Sequence, residues 1–280
     1  MKIKDIYLPL DAEIVEVTDM TPDIKLFKVK PERQFQYKPG QFIMASLWGK
    51  GEVPISITST YGIHEYIELC IRRTGYVTSA LHLLKPSIKI GIRGPFGNIF
   101  PITNARGKDI LFVAGGLGLA PLRPLITQVM NEKKTFKRIA LICGSRDPRE
   151  ILFKDDIDSW QKKGLQLILG VRKGLQLLLT IGKKDKSLQG KVSLDKEYLN
   201  KPKISFTNAY AFVCGPPIMI NPTMNTLSTM GMDANNIFTS LEAHMKCGVG
   251  KCGHCYIDGK YVCTDGPVFS FAEIKKYGFY

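Results

Sequence analysis

The sequence predicts two folded parts of different class on one chain, an antiparallel β-barrel and then a parallel-sheet α/β domain, followed by a cysteine-rich loop segment. Three observations predict this. Residues 1 to about 100 are short apolar or alternating runs of strand length, separated by turn residues. From about residue 108 such runs alternate with stretches of helical length, the pattern of βαβ units. Between 247 and 263 lie four of the chain's seven cysteines, with glycines interspersed.

In the first part the strands are IYLPLDAEIVEVTDM, IKLFKVK, QFIMASLW, PISITST, YIELCIRR and IKIGIRGP, with one helical interruption at VTSALHLL. Tyr37-KPGQF is a turn into a strand. Six strands of this kind suggest a small closed barrel. The second part opens with the buried strand DILFVAGG and the helix LGLAPLRPLITQVMNEK. The strand RIALICGS, the helix DPREILFKDDIDSWQKK and the strand LQLILGVRK follow, and later the strand AYAFVCGPP and the helix PTMNTLSTMGM. This order implies a parallel sheet with helices on both faces. Residues 236–280 read as the cysteine loop and a polar tail.

The cysteines Cys247, Cys252, Cys255 and Cys263 have the spacing C-x4-C-x2-C-x7-C. The first three match plant-type [2Fe–2S] ligation, which implies one-electron traffic. A loop wrapped around sulfide and thiolate sulfur must bring backbone N–H groups close, and Gly248, Gly250 and Gly253 permit that approach. A structural zinc site is the first alternative, because Cys252-GH-Cys255 is also half of a zinc knuckle; the usual pattern, however, pairs two C-x2-C halves. A disulfide framework is the second, and the lack of a secretion signal argues against it. His254, between two ligands, is read as solvent-facing or supporting.

The totals narrow the class. The chain has 280 residues, 44% of them hydrophobic, enough for two domains and an appendage. The N-terminus MKIKDIYLPLDAEIVEV has no apolar core of a signal peptide, and no run reaches the ~20 apolar residues of a membrane span, so a reducing cytoplasmic location is expected. The net charge is +14, but the lysines are scattered and no nucleic-acid motif accompanies them. Binding of phosphorylated cofactors is the better account of the basic surface.

Two turns in the second part point to a nucleotide. Gly115-Gly116-Leu117-Gly118-Leu119-Ala120-Pro121 follows a strand and opens a helix, where free N–H groups and the helix dipole favour a diphosphate. It is not G-x-G-x-x-G. Cys214-Gly215-Pro216-Pro217 ends a later strand, and ligands of open α/β sheets bind outside such strand ends.

Gly-Pro-Phe-Gly at 94–97, GGLGLAP at 115–121 and CGPP at 214–217, behind a six-stranded barrel, resemble the ferredoxin–NADP⁺ reductase superfamily. With the cysteine tail, the whole chain is similar to the flavin and [2Fe–2S] subunits of larger enzymes: the gamma subunit of NAD(P)-linked [NiFe] hydrogenase, the B subunit of anaerobic sulfite reductase and the electron-transfer subunit of dihydroorotate dehydrogenase. The resemblance implies an FAD-binding barrel at 1–103, an NAD(P)-binding α/β domain at 104–235 and a [2Fe–2S] segment at 236–280.

It also implies roles for residues. Val53-Pro54-Ile55-Ser56-Ile57 matches the R-x-Y-S-type flavin strand, with Pro54, Ile55 and Ser56 along the isoalloxazine and ribityl chain. Valine stands where the family has arginine and Glu52 precedes it, so Arg72 or Arg73 is expected to supply charge to the FAD diphosphate, with Gly75 and Thr78 as donors. Arg73 as a solvated arginine and Thr78 as a helix cap are the plain alternatives. Gly116 and Leu117 would approach the nicotinamide diphosphate, and Cys214 would lie near the nicotinamide ring as a positioning group, not a nucleophile. Cys70 and Cys143 are expected to be buried hydrophobes. Arg172 and Arg146, with no carboxylate at the two strand ends except nearby Asp147, favour NADP(H) over NAD(H).

The implied activity is that of an electron-transfer subunit: hydride passes between nicotinamide and flavin, and single electrons between flavin, cluster and a partner subunit. No catalytic side-chain set is needed. The x7 gap before Cys263 resembles the hydrogenase and sulfite reductase subunits more than the dihydroorotate subunit. A stand-alone ferredoxin reductase, a redox-sensing module and a zinc scaffold without flavin are the rivals.

Overall fold

A computed structural model describes residues 6–60, 62–173, 176–181, 184–189 and 202–278, by backbone alone at 62–64, 171–173, 176–181 and 184–189. Its contacts divide the chain into two units. The first comprises residues 1–99 and 241–268, the second residues 100–240 and 269–280.

The first unit is built on β1 (Leu10–Thr21), β2 (Ile24–Pro31), β3 (Phe35–Tyr37), β4 (Phe42–Leu47), β5 (Gly51–Ser56), β6 (Gly62–His64), β7 (Ile67–Arg72), the helix α1 (Tyr76–Leu81) and β8 (Lys89–Phe96). Six of them form a sheet in the order β5-β4-β8-β1-β2-β7, antiparallel throughout, and an Ile57–Leu69 bridge closes it. The expected barrel is therefore observed. Its alternation has a simple cause: Leu10, Ala12, Ile14, Phe27, Val29, Ile43, Ala45, Leu69 and Ile92 enter one apolar core, while intervening residues face outward. The short pair β3 and β6 lies outside this sheet.

The second unit contains β9 (Asp109–Gly115), α2 (Leu119–Asn131), β10 (Ile139–Ser145), α3 (Lys154–Lys162), β11 (Gln166–Lys173), β12 (Gln176–Ile181), β13 (Lys184–Gln189), β14 (Ala209–Cys214), α4 (Pro217–Thr229) and β15 (Ile237–Ser240). The sheet order is β13-β12-β11-β10-β9-β14-β15, with β18 (Val268–Ser270) at its edge. Strands β11, β10, β9, β14 and β15 run parallel, and β12 and β13 extend them as an antiparallel hairpin. The chain moves from β9 outward through β10 to β11, then returns to place β14 on the other side of β9. That reversal makes the carboxyl ends of β9 and β14 a topological switch point. Phe112, Phe212 and Phe238 stack in a row across the sheet, at centroid separations of 5.7 and 5.9 Å.

Three elements differ from the sequence reading. Helix α3 begins at Lys154, because Asp147 caps a separate short turn at 148–150 and Phe153 takes a left-handed conformation (φ 54°). Helix α4 begins at Pro217, five residues earlier than the reading, since proline is well suited to a first helical turn. The tail is not merely polar: β18 joins the sheet, and α6 (Phe271–Tyr277) buries Phe271 and Ile274 behind a Ser270/Glu273 capping box.

Between β15 and β18 the cysteine segment packs onto the barrel. It contains the two-residue strands β16 (Tyr256–Ile257) and β17 (Lys260–Tyr261) and the short helix α5 (Val262–Asp265). Asn98 fastens it. The Asn98 amide donates to Asp265 O (3.0 Å) and Val268 O (2.8 Å), its oxygen accepts from Val268 N–H (2.9 Å), and its own backbone N–H reaches Gly266 O. Asn98→Ala removes three of these bonds, about 2–3 kcal/mol of attachment. Trypsin should then cut at the exposed Lys246 and Lys251 roughly 30- to 150-fold faster than in the unmodified chain. Unchanged cleavage would show that Asn98 does not hold the segment.

Candidate functional site

The thiols influence one another electrostatically: Cys247 acts on Cys252, and Cys255 and, more weakly, Cys247 act on Cys263. Loop backbone donates to these sulfurs: Gly250 N–H to Cys263 (3.1 Å), and Lys251 and Val249 N–H to Cys247 (3.4 and 3.5 Å). The backbone N–H of His254 leads the interactions that pull the Cys252 thiol below its usual pKa, whereas burial pushes Cys263 up to about 12. His254 itself is exposed.

The x7 gap is a β-hairpin. Asp258 and Gly259, both with positive φ (40° and 89°), turn β16 back along β17, and Val262 N–H donates to Cys255 O (3.0 Å). This returns Cys263 to Cys255. The Asp-Gly pair between Tyr-Ile and Lys-Tyr is a hairpin signature that the sequence reading did not use. Four cysteines on one glycine-rich loop, with backbone N–H groups aimed at two of the sulfurs, have the donor chemistry of a two-iron centre. The residues fit a [2Fe–2S] cluster.

The loop rests on the outer face of β4, β5 and β8. Register pairs Ser46 with Glu52, Met44 with Pro54 and Phe42 with Ser56. Residues opposite one another share a face, so Glu52, Pro54 and Ser56 lie outward with Met44 and Phe42. Val53 and Ile55 pack against the core, and Ile57 is 2% exposed within it, so the last offers only backbone to a ligand. Gly248 (φ 75°) sits so close to this face that a Cβ there would stand 2.9 Å from Phe96 and 3.1 Å from Met44.

Glu52 does not project an unpaired charge beside the flavin strand. Arg93, 5% exposed at its side chain, donates Nε and Nη2 to the two Glu52 oxygens (2.9 and 2.6 Å), and this pairing holds its pKa above the usual value. The sequence reading missed this pair, which joins residues 41 positions apart. A cleft of about 720 Å³ opens beside it, walled by Arg33, Gln36, Arg93, Asn98, Val249 and Cys263.

At the other end of β7, Arg72 pairs with Asp23 (3.3 Å), while Arg73 is exposed. The Thr78 hydroxyl accepts from Thr74 N–H (3.0 Å) and Gly75 N–H (2.9 Å) and donates to Gly75 O (3.1 Å). Thr78 thus shapes the turn itself, which leaves the exposed Gly75 backbone and Arg73 as the groups presented outward.

In the second unit the two nucleotide signals meet at the switch point. β9 and β14 pair with Ala114 beside Cys214, and the GGLG turn folds over CGPP. A Cβ on Gly118 would collide with the Cys214 carbonyl and with Gly215 N. Gly115 likewise faces Pro216 and Met219. Gly116 and Leu117 occupy the turn at the start of α2, and Cys214 is 1% exposed, so its thiol is a packing group. Ser145 pairs with Val171, which puts Arg146 and the Arg172 backbone at the same sheet end; the Arg172 side chain lies outside the described residues. Asp147 is held by Arg149 through bonds of 3.0 and 2.9 Å. Cys70 and Cys143 are buried, as expected.

Barrel, switch-point turn and cysteine loop together define a flavin- and nicotinamide-dependent oxidoreductase extended by an iron–sulfur segment. The patterns of known domains match in the same order: the oxidoreductase FAD-binding domain over residues 11–100, the oxidoreductase NAD-binding domain over 112–224, and the iron–sulfur cluster binding domain of dihydroorotate dehydrogenase B over 242–275. The chain is 37% identical to sulfhydrogenase 2 subunit gamma of Pyrococcus furiosus, over 95% of this chain and 96% of that one. It is 34% identical to a probable dihydroorotate dehydrogenase B (NAD⁺) electron transfer subunit of Methanocella arvoryzae, over 93% and 90%. Among solved structures, that of an NADH-dependent reduced ferredoxin–NADP oxidoreductase shares the fold, with TM-score 0.72, 22% identity and coverage of 100% and 95%. The chain belongs to the family of sulfhydrogenase gamma and dihydroorotate dehydrogenase electron-transfer subunits. It is an electron-transfer subunit of the multi-subunit kind, with FAD, nicotinamide nucleotide and a [2Fe–2S] cluster as its cofactors. Among the described residues no helix is long and apolar enough to cross a membrane.

Proposed function

We propose that this subunit links a nicotinamide nucleotide to a catalytic partner of the hydrogenase or sulfite reductase kind. The observation that carries the reading is the seating of Gly248, next to Cys247, on the outer face that also bears Pro54 and Ser56. When bound, FAD exchanges hydride with nicotinamide and single electrons with the cluster. The functional division follows residues 1–103, 104–235 and 236–280.

The chain's own residues position these groups. Pro54 and Ser56 present a flat edge and a hydroxyl to the isoalloxazine, with the backbone of Ile55 and Ile57 behind them. Arg73 and the Gly75 N–H meet the FAD diphosphate, and Arg72, paired with Asp23, steadies that loop. Gly115, Gly116, Leu117 and Gly118 receive the nicotinamide diphosphate at the start of α2, while Cys214, Gly215 and Pro216 shape the wall against the ring. Cys247, Cys252, Cys255 and Cys263 would hold the cluster, which would supply one-electron transfer there.

Cys252 is exposed, and Ile6, Tyr7 and Leu8 are about half exposed or more nearby, with Lys251 stacked on the Tyr7 ring at 5.4 Å. This is the face we assign to the partner subunit. The x7 gap before Cys263 favours the hydrogenase and sulfite reductase types over the dihydroorotate type. Three cysteines outside the cluster set, Cys70, Cys143 and Cys214, are all buried thiols, which accords with a reducing cytoplasm.

For the coenzyme, Arg146 is exposed at the end of β10, where it makes a surface pair with Glu150 (3.2 Å). Asp147 is neutralised by Arg149, so a 2′-phosphate that displaces Glu150 is favoured over bare ribose hydroxyls. The test is anaerobic titration of the purified subunit. NADPH should bleach the flavin absorbance near ~450 nm more efficiently than NADH, and Arg146→Ala should raise KM for NADPH several-fold with little change for NADH. A protein that neither binds flavin nor responds to either nucleotide refutes the proposed function; equal response to both refutes only the coenzyme assignment.

A further inference from the structure

The Glu52–Arg93 pair, its arginine buried and its carboxylate partly exposed, occupies a specific place between the flavin strand and the cluster loop. Glu52 opens the run that continues into Pro54 and Ser56 on β5, and Arg93 stands on β8, opposite Met44 of β4. Arg93 makes four bonds: two to the Glu52 carboxylate (2.9 and 2.6 Å), one from Nη1 to Ile6 O (3.1 Å) and one from Nη2 to Cys247 O (3.1 Å). Its guanidinium also lies 5.6 Å from the centre of the Phe96 ring, the ring against which Gly248 is pressed.

Stability alone is a poor reason for such a pair. Removing a guanidinium from water costs several kcal/mol, and apolar residues of the same volume often pack as well. The arrangement is better suited to charge placement. A [2Fe–2S] centre with four thiolates gains one negative charge on reduction, so a fixed cation beside a ligand's backbone favours the reduced form, and a nearby carboxylate opposes it.

We propose that Arg93 is a positioning residue that fixes Cys247 against the flavin strand and, with Glu52 as its counter-charge, sets the reduction potential of the cluster. The inference rests on the proposed iron–sulfur function. It makes the two members of one ion pair act with opposite signs, which a purely structural clamp does not. Loss of Arg93's charge leaves Glu52 nearby and destabilises the reduced cluster. Loss of Glu52's charge leaves Arg93 bonded to Cys247 and Ile6 and stabilises it.

The experiment is a spectroscopic redox titration of the iron-loaded full chain and its variants, with iron and flavin content measured alongside. Arg93→Gln should lower the cluster potential, Glu52→Gln should raise it, and Arg93→Lys, which keeps the charge, should fall much closer to the unmodified protein than Arg93→Gln does. Rescue by lysine separates charge from mere packing. Potentials that stay fixed, or move in the same direction in the Glu52 and Arg93 variants, overturn the proposal. If Arg93→Gln fails to hold iron, Glu52→Gln decides alone, and a potential that does not rise overturns it. An unmodified chain without a two-iron centre would instead refute the underlying function.

Discussion

Replacing Cys252 with serine should bring iron down from two atoms per chain toward zero while NAD(P)H continues to bleach the flavin. The expectation follows from how the thiols are built. Cys252 is exposed, and its sulfur is held by the His254 N–H and by Cys247, so it is set to act as a thiolate ligand. Serine keeps the volume but offers a hydroxyl that does not ionise near neutral pH, and one iron of the centre then has three ligands. Cys263→Ser should have the same effect, although Cys263 is wholly buried and its environment disfavours a thiolate until metal is present. Iron analysis and visible absorbance on one anaerobic sample read both halves of the outcome. Full iron content in both variants would refute the ligand assignment, and loss of flavin reduction as well would show that the segment supports the barrel more than it serves transfer.

The second large effect is expected at Gly118. A methyl group there falls on the Cys214 carbonyl and on Gly215 N, which are backbone atoms of a central strand and its turn and cannot swing aside. Gly118→Ala must therefore push the start of α2 away from β14 and open the turn meant for the nucleotide diphosphate. Hydride transfer depends on reacting atoms being held within a few tenths of an ångström, so kcat/KM for NAD(P)H should fall by about 100-fold or more. Iron and FAD content should remain, because neither site lies in this unit. Unchanged kinetics would show that the nucleotide binds away from the β9/β14 switch point.

The barrel and the βαβ pattern were legible because burial imposes a period. Alternation in β1, β2 and β7 and continuous apolar runs in β9, β10 and β14 follow from one wet face or none. The three-residue strands β3 and β6 are too short to show any period, and the β12–β13 hairpin extends a parallel sheet in a direction that no local rule specifies. In the site, the cysteines and the two glycine turns were legible as spacing. Glu52, Arg93 and Asn98 were not: Arg93 reaches Cys247 across 154 residues, and Asn98 reaches Val268 across 170. A charged residue in a strand reads as a solvated one until its partner is known.

By itself, then, the sequence determined the class of each part and singled out four cysteines as the candidate iron ligands, because strand period, helix period and cysteine spacing are local consequences of pleat, helical turn and metal geometry. Only the tertiary structure decided that the cysteine loop lies on the face bearing Pro54 and Ser56, that an Asp-Gly hairpin returns Cys263 to Cys255, and that Glu52 faces a buried arginine. Those decisions depend on strand register and on the packing of segments far apart in the chain, which the residues on either side do not encode alone.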